Sequence, residues 1–241
     1  MIRFLAVLFS LVLLLALAAG GASLYVFWRF GRDLPDYSQL ADYRPAVMSR
    51  VHAGDGTLIA EFAHQRRLFV PIAAMPKQVI QAFLAAEDKT FYTHPGIDFA
   101  GIASAMLRNI KNIGGKRRPV GASTITQQVA KNFLLTNELS IARKIKEAIL
   151  AFRIEHAFSK DRILELYLNE IYLGLGSYGV AAAALNYFDK SLDELNLEET
   201  AFLAALPKAP NNYHPIRNRK AAEGRRDWVL GQMAENGVIS A

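Results

Sequence analysis

The chain contains a short segment, residues 87–96, in which two adjacent carboxylates are followed by an aromatic-rich turn ending in His-Pro-Gly. Apolar residues before it fall on one helical face, and continuing that face by three or four positions reaches Glu87. We therefore expect Glu87 to point toward the interior. Burial there would raise the pKa of its carboxyl and make it a general acid or base near neutral pH. The competing interpretation is that Glu87 and Asp88 form a solvated helix end, as most acidic pairs do.

A second group of polar residues lies on a predicted helix that begins near Thr124. Thr124 and Gln127 have the spacing of a capping box, and Gln128 and Lys131 continue the polar face. The free N–H groups and the positive dipole end of a helix N-terminus attract phosphate, and a basic run at residues 116–118 stands just before this helix. The pattern is compatible with a phosphate-binding face, and equally with a face that is only solvated.

Arg143 and Glu147 form a further charged pair, four residues apart on the next predicted helix. As a surface ion pair they would contribute ~0.3–0.5 kcal/mol, and arginine before glutamate is the weaker order for that purpose. The alternative interpretation is a basic site for a substrate phosphate with a second carboxylate beside it. The pair alone does not distinguish the two.

The element at the N-terminus is an uncharged apolar run over residues 4–28, which is long enough to span a bilayer as a helix. Aromatic residues stand at its C-terminal end, as at a membrane interface. The segment Ala16-Leu17-Ala18 resembles a cleavage site, so a cleaved signal peptide is the competing interpretation. Because the apolar run continues to Trp28, we favour an uncleaved anchor.

The remaining chain divides into a polar linker at residues 33–46, a β hairpin, and a helical body. Asp55-Gly56 between two strand-like runs is a hairpin signal, and helix signals dominate from Pro76 onward. Capping residues predict helix starts at Asp98, Thr124, Ser140, Ser159 and Asn196, and a last helix over residues 218–236 closed by Gly237. The predicted parts are 1–32 (cytoplasmic tip and transmembrane anchor), 33–70 (linker and β hairpin) and 71–241 (catalytic domain). The fold class expected is mainly α.

The composition favours anionic partners and excludes several common sites. The 241 residues carry a net charge of +6 and no cysteine. A basic balance suits phosphate-bearing substrates, anionic lipid or nucleic acid. No zinc-ligand spacing, dinucleotide fingerprint or Walker loop occurs, and the five histidines are scattered.

Five motifs occur in a fixed order along residues 45–241. They are Glu87-Asp88-x-x-Phe91-x-x-His94-x-Gly96, Gly121-x-Ser123-Thr124-Ile125-Thr126-Gln127-Gln128-x-x-Lys131-Asn132, Arg143-Lys144-x-x-Glu147, Arg162-Ile163-Leu164-Glu165-x-Tyr167-Leu168-Asn169, and Ala205-Leu206-Pro207-x-Ala209-Pro210. This ordered set resembles the peptidoglycan glycosyltransferase (transglycosylase) domain of class A penicillin-binding proteins and their monofunctional relatives. Each motif alone is weak, but the set is specific.

The resemblance implies a lysozyme-like, mostly helical glycosyltransferase domain with a smaller mobile lobe against the membrane. It implies polymerisation of lipid II with release of undecaprenyl pyrophosphate, and Glu87 as the general base for the acceptor's 4-hydroxyl. Lys131 and Arg143 would hold the pyrophosphate. Glu147 would be a second essential acid, near the leaving phosphates or a divalent metal.

The resemblance also implies roles for further residues. Substrate-binding positions would be Ser123, Thr124, Gln127, Gln128 and Asn132; supporting positions would be Asp88, Phe91, His94, Gly96, Arg162, Tyr167 and Asn169. A divalent cation, Mg²⁺ or Mn²⁺, could bind at Glu147 or Asp88, and no organic cofactor is expected.

The implied location is the bacterial inner membrane, with a single span and the catalytic domain on the outer, periplasmic face. Lipid II, the growing glycan, membrane lipids and other cell-wall synthesis proteins are the expected partners, and nucleic acid is not. Two alternatives remain: a lysozyme-like glycan hydrolase, for which a phosphate site is unnecessary, and a membrane-anchored non-enzymatic scaffold.

The sequence contains neither Ser-x-x-Lys nor Lys-Thr-Gly, so it lacks the penicillin-binding transpeptidase motifs. It is therefore a monofunctional enzyme or the front part of a bifunctional one. The Asp-Gly hairpin and the Asn-Asn-Tyr-His-Pro run at 211–215 favour the bifunctional class.

Overall fold

The structure, a computed structural model, describes residues 2–43, 49–62, 66–112, 121–136, 138 and 140–240. Most of the regular structure in these residues is helical. The helices are α1 Ile2–Gly31, α2 Lys77–Glu87, α3 Phe99–Lys111, α4 Ile125–Leu134, α5 Ile141–Ala157, α6 Lys160–Glu170, α7 Val180–Phe188, α8 Leu197–Ala205 and α9 Arg219–Glu235. The strands are β1 Ser49–His52, β2 Leu58–Phe62, β3 Arg66–Arg67 and β4 Ser177–Tyr178. The predicted mainly α fold with a small hairpin and an N-terminal apolar helix is confirmed.

The helices of the body begin where capping residues predicted. The side chains of Asp98, Thr124, Ser140, Ser159 and Asn196 each accept a hydrogen bond from the backbone N–H three residues later. Such bonds satisfy donors that have no partner inside the helix. Thr124 and Asn196 form complete capping boxes.

The predicted Asp-Gly hairpin joins β1 and β2, which pair antiparallel. The Asp55 carboxylate accepts the N–H of Thr57 at 2.9 Å, and Gly56 has φ +88°, the left-handed region in which glycine is favoured. The first of the two strand-like runs begins in the sequence at Val47, which lies outside the described residues. Strand β3 pairs with β4 in parallel, between the end of the hairpin region and the helical body.

The polar segment before the hairpin packs against the helical body and is more than a linker. Leu40 is fully buried in the core. The Arg162 guanidinium donates to the carbonyl oxygens of Leu40 and Ala41, at 2.9 and 3.0 Å. Tyr43 and Arg67 both bond the Glu170 carboxylate. One buried apolar side chain and three polar contacts to α6 therefore attach this predicted linker to the helical body.

Two groups of packed helices set the position of the site. Helix α2 packs against α8 and α9, and α4 packs against α5 and α6. On α2 the apolar side chains of Val79, Ala82 and Phe83 are buried, which fixes the direction of the helix end that carries Glu87. Helix α2 begins at Lys77, one residue later than predicted.

Helix α1 lies outside this core and contacts α5, where Arg153 donates to the carbonyl oxygen of Gly31 at 3.1 Å. The most apolar stretch within Arg3–Gly31 has a mean hydropathy of 2.6, and none of that stretch is buried. The helix is long and apolar enough to cross a membrane. The division of the chain at residues 32 and 70 stays a prediction.

Candidate active site

Glu87 is the last residue of α2, and its carboxylate faces α4 rather than open solvent. Its Oε2 accepts a hydrogen bond from Gln128 Nε2 at 2.9 Å. Burial is the largest influence on this group and raises the pKa of the carboxyl above its ordinary value. The Gln128 bond and the charges of Arg225 and Lys208 lower it only in part. The expectation that Glu87 points inward agrees with this geometry.

Gln128 is on the predicted polar face of α4, which is not merely solvated. Thr124 and Gln127, which form the capping box, are buried, with 2% and 4% of their surfaces exposed. Lys131 follows Gln128 by one turn, so the same helix carries the hydrogen-bond donor to Glu87 and a cation.

Asp88 and His94 attach the start of α4 to the Glu87 segment. The Asp88 carboxylate accepts the N–H of Ile125, the first residue of α4, at 2.9 Å. His94 Nδ1 accepts the Gly96 N–H at 3.1 Å, so Nε2 carries the proton and donates to Asp88 at 3.0 Å. Asp88 therefore holds α4, which carries the donor Gln128, at a fixed distance from the Glu87 carboxylate.

Gly96 closes this segment against α5. It has φ +89°, and a Cβ there would lie 2.9 Å from the carbonyl oxygen of Ala151. Its own carbonyl oxygen accepts the Thr124 hydroxyl at 2.6 Å. Only glycine combines this backbone conformation with so close an approach.

A cluster of charges lies where α4 meets α5. Glu147 is buried, and its carboxylate binds Arg143 through one oxygen and Lys144 through the other, the latter at 2.6 Å. Lys144 also donates to the Ser123 hydroxyl at 2.8 Å. The Arg143–Glu147 pair is thus no surface ion pair, since the Glu147 side chain is 3% exposed.

Lys131 belongs to the same cluster. Burial lowers the pKa of its ammonium, Glu147 raises it, and the like charges of Arg143 and Lys144 lower it further. Helices α4 and α5, which carry Lys131 and Arg143, pack against each other. Lys131 and Arg143 therefore face one region and not opposite sides of the protein, and Glu87 also contributes to the pKa of Lys131.

The sequence missed a further group of charges near Glu87, carried by α9, which packs against α2, and by the segment before it. The charges of Arg225 and Lys208 act on the Glu87 carboxyl, and burial lowers the pKa of both cations. Arg225 lies over the ring of Trp228, with 3.7 Å between the guanidinium carbon and the ring centroid. The sequence did contain one signal for this group: Arg225 and Trp228 lie three residues apart within the predicted last helix, so they share a helix face. Lys144, three residues before Glu147, was also missed.

The residues predicted as supporting have structural contacts. Phe91 is buried beneath the Lys160 ammonium. Tyr167 lies in the core, where burial raises the pKa of its hydroxyl and the charges of Glu87 and Asp88 raise it further. Asn169 bonds the backbone of Val70, at 2.8 Å to the N–H and 2.9 Å to the carbonyl oxygen.

Two of the predicted residues stand apart from these groups. Arg162 holds the segment before the hairpin rather than the Glu87 region. Asn132, at the other end of α4, is exposed.

The predicted metal positions do not fit a divalent cation as they stand. The Glu147 oxygens bind Arg143 and Lys144, and the Asp88 oxygens bind His94 and the Ile125 N–H. Among the described residues no group of three His, Cys, Asp or Glu could hold a metal. A divalent site usually needs several oxygen ligands, so no step below is derived through one.

Comparison with known proteins identifies close relatives. A family model described as Transglycosylase matches residues 55–234. Penicillin-binding protein 1A of Rickettsia felis is 54% identical over 226 residues, which cover 94% of this chain and 29% of that protein. Penicillin-binding protein 1A of Escherichia coli is 42% identical over 233 residues, 96% of this chain and 27% of that protein. The chain thus spans under a third of the length of these relatives.

A solved structure is also similar. The crystal structure of penicillin-binding protein 1A from Haemophilus influenzae matches with a TM-score of 0.44 and 31% identity, over 82% of this chain and 19% of that one.

Proposed function

Because the chain belongs to the transglycosylase family, we propose that it is a peptidoglycan glycosyltransferase that polymerises lipid II into β-1,4 glycan strands and releases undecaprenyl pyrophosphate. The observation that carries this proposal is the position of Glu87. Its carboxylate is bonded to Gln128 on the helix that also carries Lys131, beside the cluster of Arg143 and Glu147.

Glu87 acts as the general base. A raised pKa makes its carboxylate a better proton acceptor at neutral pH, and the Gln128 amide holds the acid group in one orientation. The carboxylate takes the proton of the acceptor's 4-hydroxyl, and that oxygen attacks the anomeric carbon of the donor. The bond from the anomeric carbon to the phosphate oxygen breaks, and its electron pair leaves with the pyrophosphate, inverting the configuration.

The cation cluster stabilises the leaving group. Lys131, Arg143 and Lys144 can donate charge-assisted hydrogen bonds to phosphate oxygens on which negative charge develops. Glu147 holds Arg143 and Lys144 in position through its two oxygens. We assign Glu147 this positioning role and not that of a second acid, because both of its oxygens are already engaged by cations.

The polyprenyl substrate requires an enzyme at the membrane, and two surfaces suit that location. Helix α1 is exposed and apolar along its length. Helix α3 also presents an exposed apolar face, formed by Phe99, Met106, Leu107 and Ile110 at helical spacing. We place α1 as a single span of the bacterial inner membrane, with the catalytic body on the outer face.

The longer relatives support a further proposal, that this chain is the glycosyltransferase part of a bifunctional penicillin-binding protein. Its partners would then be lipid II, the growing glycan, membrane lipids and other cell-wall synthesis proteins. The native product could be measured by mass spectrometry: a species of 26.7 kDa, the mass of this chain, would contradict the bifunctional proposal.

A polymerisation assay tests the main proposal. Purified protein in detergent is given lipid II, and separately finished glycan. The expected result is glycan strands from lipid II and no shortening of finished glycan. Hydrolysis of the glycan without polymerisation would show a lysozyme-like hydrolase instead, and binding without either reaction would favour a scaffold.

A further inference from the structure

Trp228 is an exposed aromatic residue beside the proposed base. It lies on α9 with 42% of its surface exposed. The Arg225 guanidinium carbon is 3.7 Å from its ring centroid, and the charge of Arg225 acts on the Glu87 carboxyl. Helix α9 also packs against α2, whose last residue is Glu87, so the indole and the guanidinium lie on the helix next to the one that carries the base.

Two glycines leave space on either side of this indole. Gly224 and Gly231 lie four residues before and three after Trp228, on the same helix face. A Cβ at either position would meet no atom within 4 Å. Glycine is a poor helix residue, and here neither crowding nor a left-handed backbone requires it. The consequence of the glycines is an open, flat surface around the ring.

The direction of the reaction places one sugar on this surface. In an inverting displacement the base lies on the face of the anomeric carbon opposite to the leaving group. The proposed pyrophosphate site lies with α4 and α5, through Lys131 and Arg143. The acceptor sugar, whose hydroxyl Glu87 activates, is therefore expected on the side of Glu87 away from this site, and α9 is a candidate to line that side because it packs against the helix that carries Glu87.

We propose that Trp228 and Arg225 form a platform that binds a pyranose ring of the acceptor, with the apolar C–H face of the ring against the indole. This inference rests on the proposed function. Tryptophan provides a large, rigid apolar surface with few rotatable bonds. The guanidinium holds the indole in place and can donate to sugar hydroxyls; its Nε is buried and has no hydrogen-bond partner among the described residues.

Tryptophan fluorescence gives a direct test, because the chain has only two tryptophans, Trp28 and Trp228. In a Trp28→Phe variant all tryptophan emission comes from Trp228. The probe is the tetramer of β-1,4-linked N-acetylglucosamine. A saturable change in emission is expected. Emission that does not change at any soluble concentration of the probe would overturn the platform.

A matched pair of variants tests whether the open surface matters. The side chain of residue 231 leans toward the helix N-terminus and hence toward the indole. Gly231→Leu should cover the ring and remove the emission change, whereas Gly231→Ala is too short to do so and should keep it. Both variants should melt at or above the wild-type temperature, since the space is empty. An equal response in both would contradict the proposal.

Kinetics separate this role from a structural one. Trp228→Ala should raise the substrate concentration for half-maximal polymerisation roughly three- to tenfold, the range for a lost aromatic contact, with a smaller change in kcat. Trp228→Phe should recover most of the loss. A fall in kcat alone, not recovered by phenylalanine, would refute the platform.

If the Trp28→Phe protein makes no glycan at all, the proposed function fails; if it makes glycan but Trp228 does not respond, only the platform fails.

Discussion

Replacing Glu87 by glutamine is expected to remove turnover and, at the same time, to stabilise the protein at neutral pH. The substitution keeps the size of the side chain, and the new amide can still bond Gln128. Burial raises the pKa of the Glu87 carboxyl and outweighs the opposing effects of Gln128 and the nearby cations. A buried carboxylate that must be charged to work lowers the free energy of unfolding.

The sign of this effect determines its pH dependence. Below the pKa of an unfolded glutamate, about 4.3, Glu87 is protonated in both states, and wild type and variant should be similarly stable. Between that value and the raised folded pKa only the folded state keeps the proton. Stability of the wild type therefore falls with rising pH, by up to about 1.4 kcal/mol for each pH unit crossed. Above the folded pKa the advantage of the variant stays constant.

Urea unfolding of wild type and Glu87→Gln in the same detergent, at pH values below, within and above this window, measures the difference. Glu198→Gln, which removes an exposed carboxylate on α8, controls for loss of a negative charge. Polymerisation by Glu87→Gln should fall at least ~100-fold, the low end for general base catalysis. A variant that is less stable than wild type at every pH, or that keeps wild-type turnover, would refute the reasoning.

Four further predictions follow from the same geometry. Lys131→Ala should weaken use of a pyrophosphate-bearing donor roughly ten- to a hundredfold while leaving binding of finished glycan unchanged; equal losses in both would contradict a phosphate site. Glu147→Gln should lower kcat without moving the pH profile, since Glu147 positions cations; a shifted acid limb would identify it as a titrating catalyst. Arg225→Met should move the acid limb of kcat/KM to higher pH, because a charge that lowers the pKa of Glu87 is lost; an unmoved limb would show that the charge is too distant. Deletion of residues 1–32 should leave a folded body and reduce activity on membrane-borne substrate more than on detergent-solubilised substrate, and equal reductions would contradict tethering by α1.

The fold could be predicted from the sequence wherever a local interaction decides it. The capping boxes at Thr124 and Asn196 join residues three apart, and the turn at Asp55-Gly56 depends on its own side chain and backbone conformation. Such contacts form within one turn of chain, so residue type and spacing are sufficient to predict them. The attachment of the predicted linker to the body could not be predicted in this way, because Leu40 is buried by residues that are distant in the sequence.

In the candidate site, too, the sequence predicted the local features, and helix packing decided the contacts between helices. The sequence determined that Glu87 ends an apolar helix and that Arg143 and Glu147 share a face, because helical periodicity alone relates these positions. Only the tertiary structure decided which groups surround the carboxylate. Gln128 reaches Glu87 because Asp88 binds the first N–H of α4, and Arg225 approaches it because α9 packs against α2. The strength of a charge or a hydrogen bond depends on a separation of a few ångströms, and that separation is set by how the helices pack.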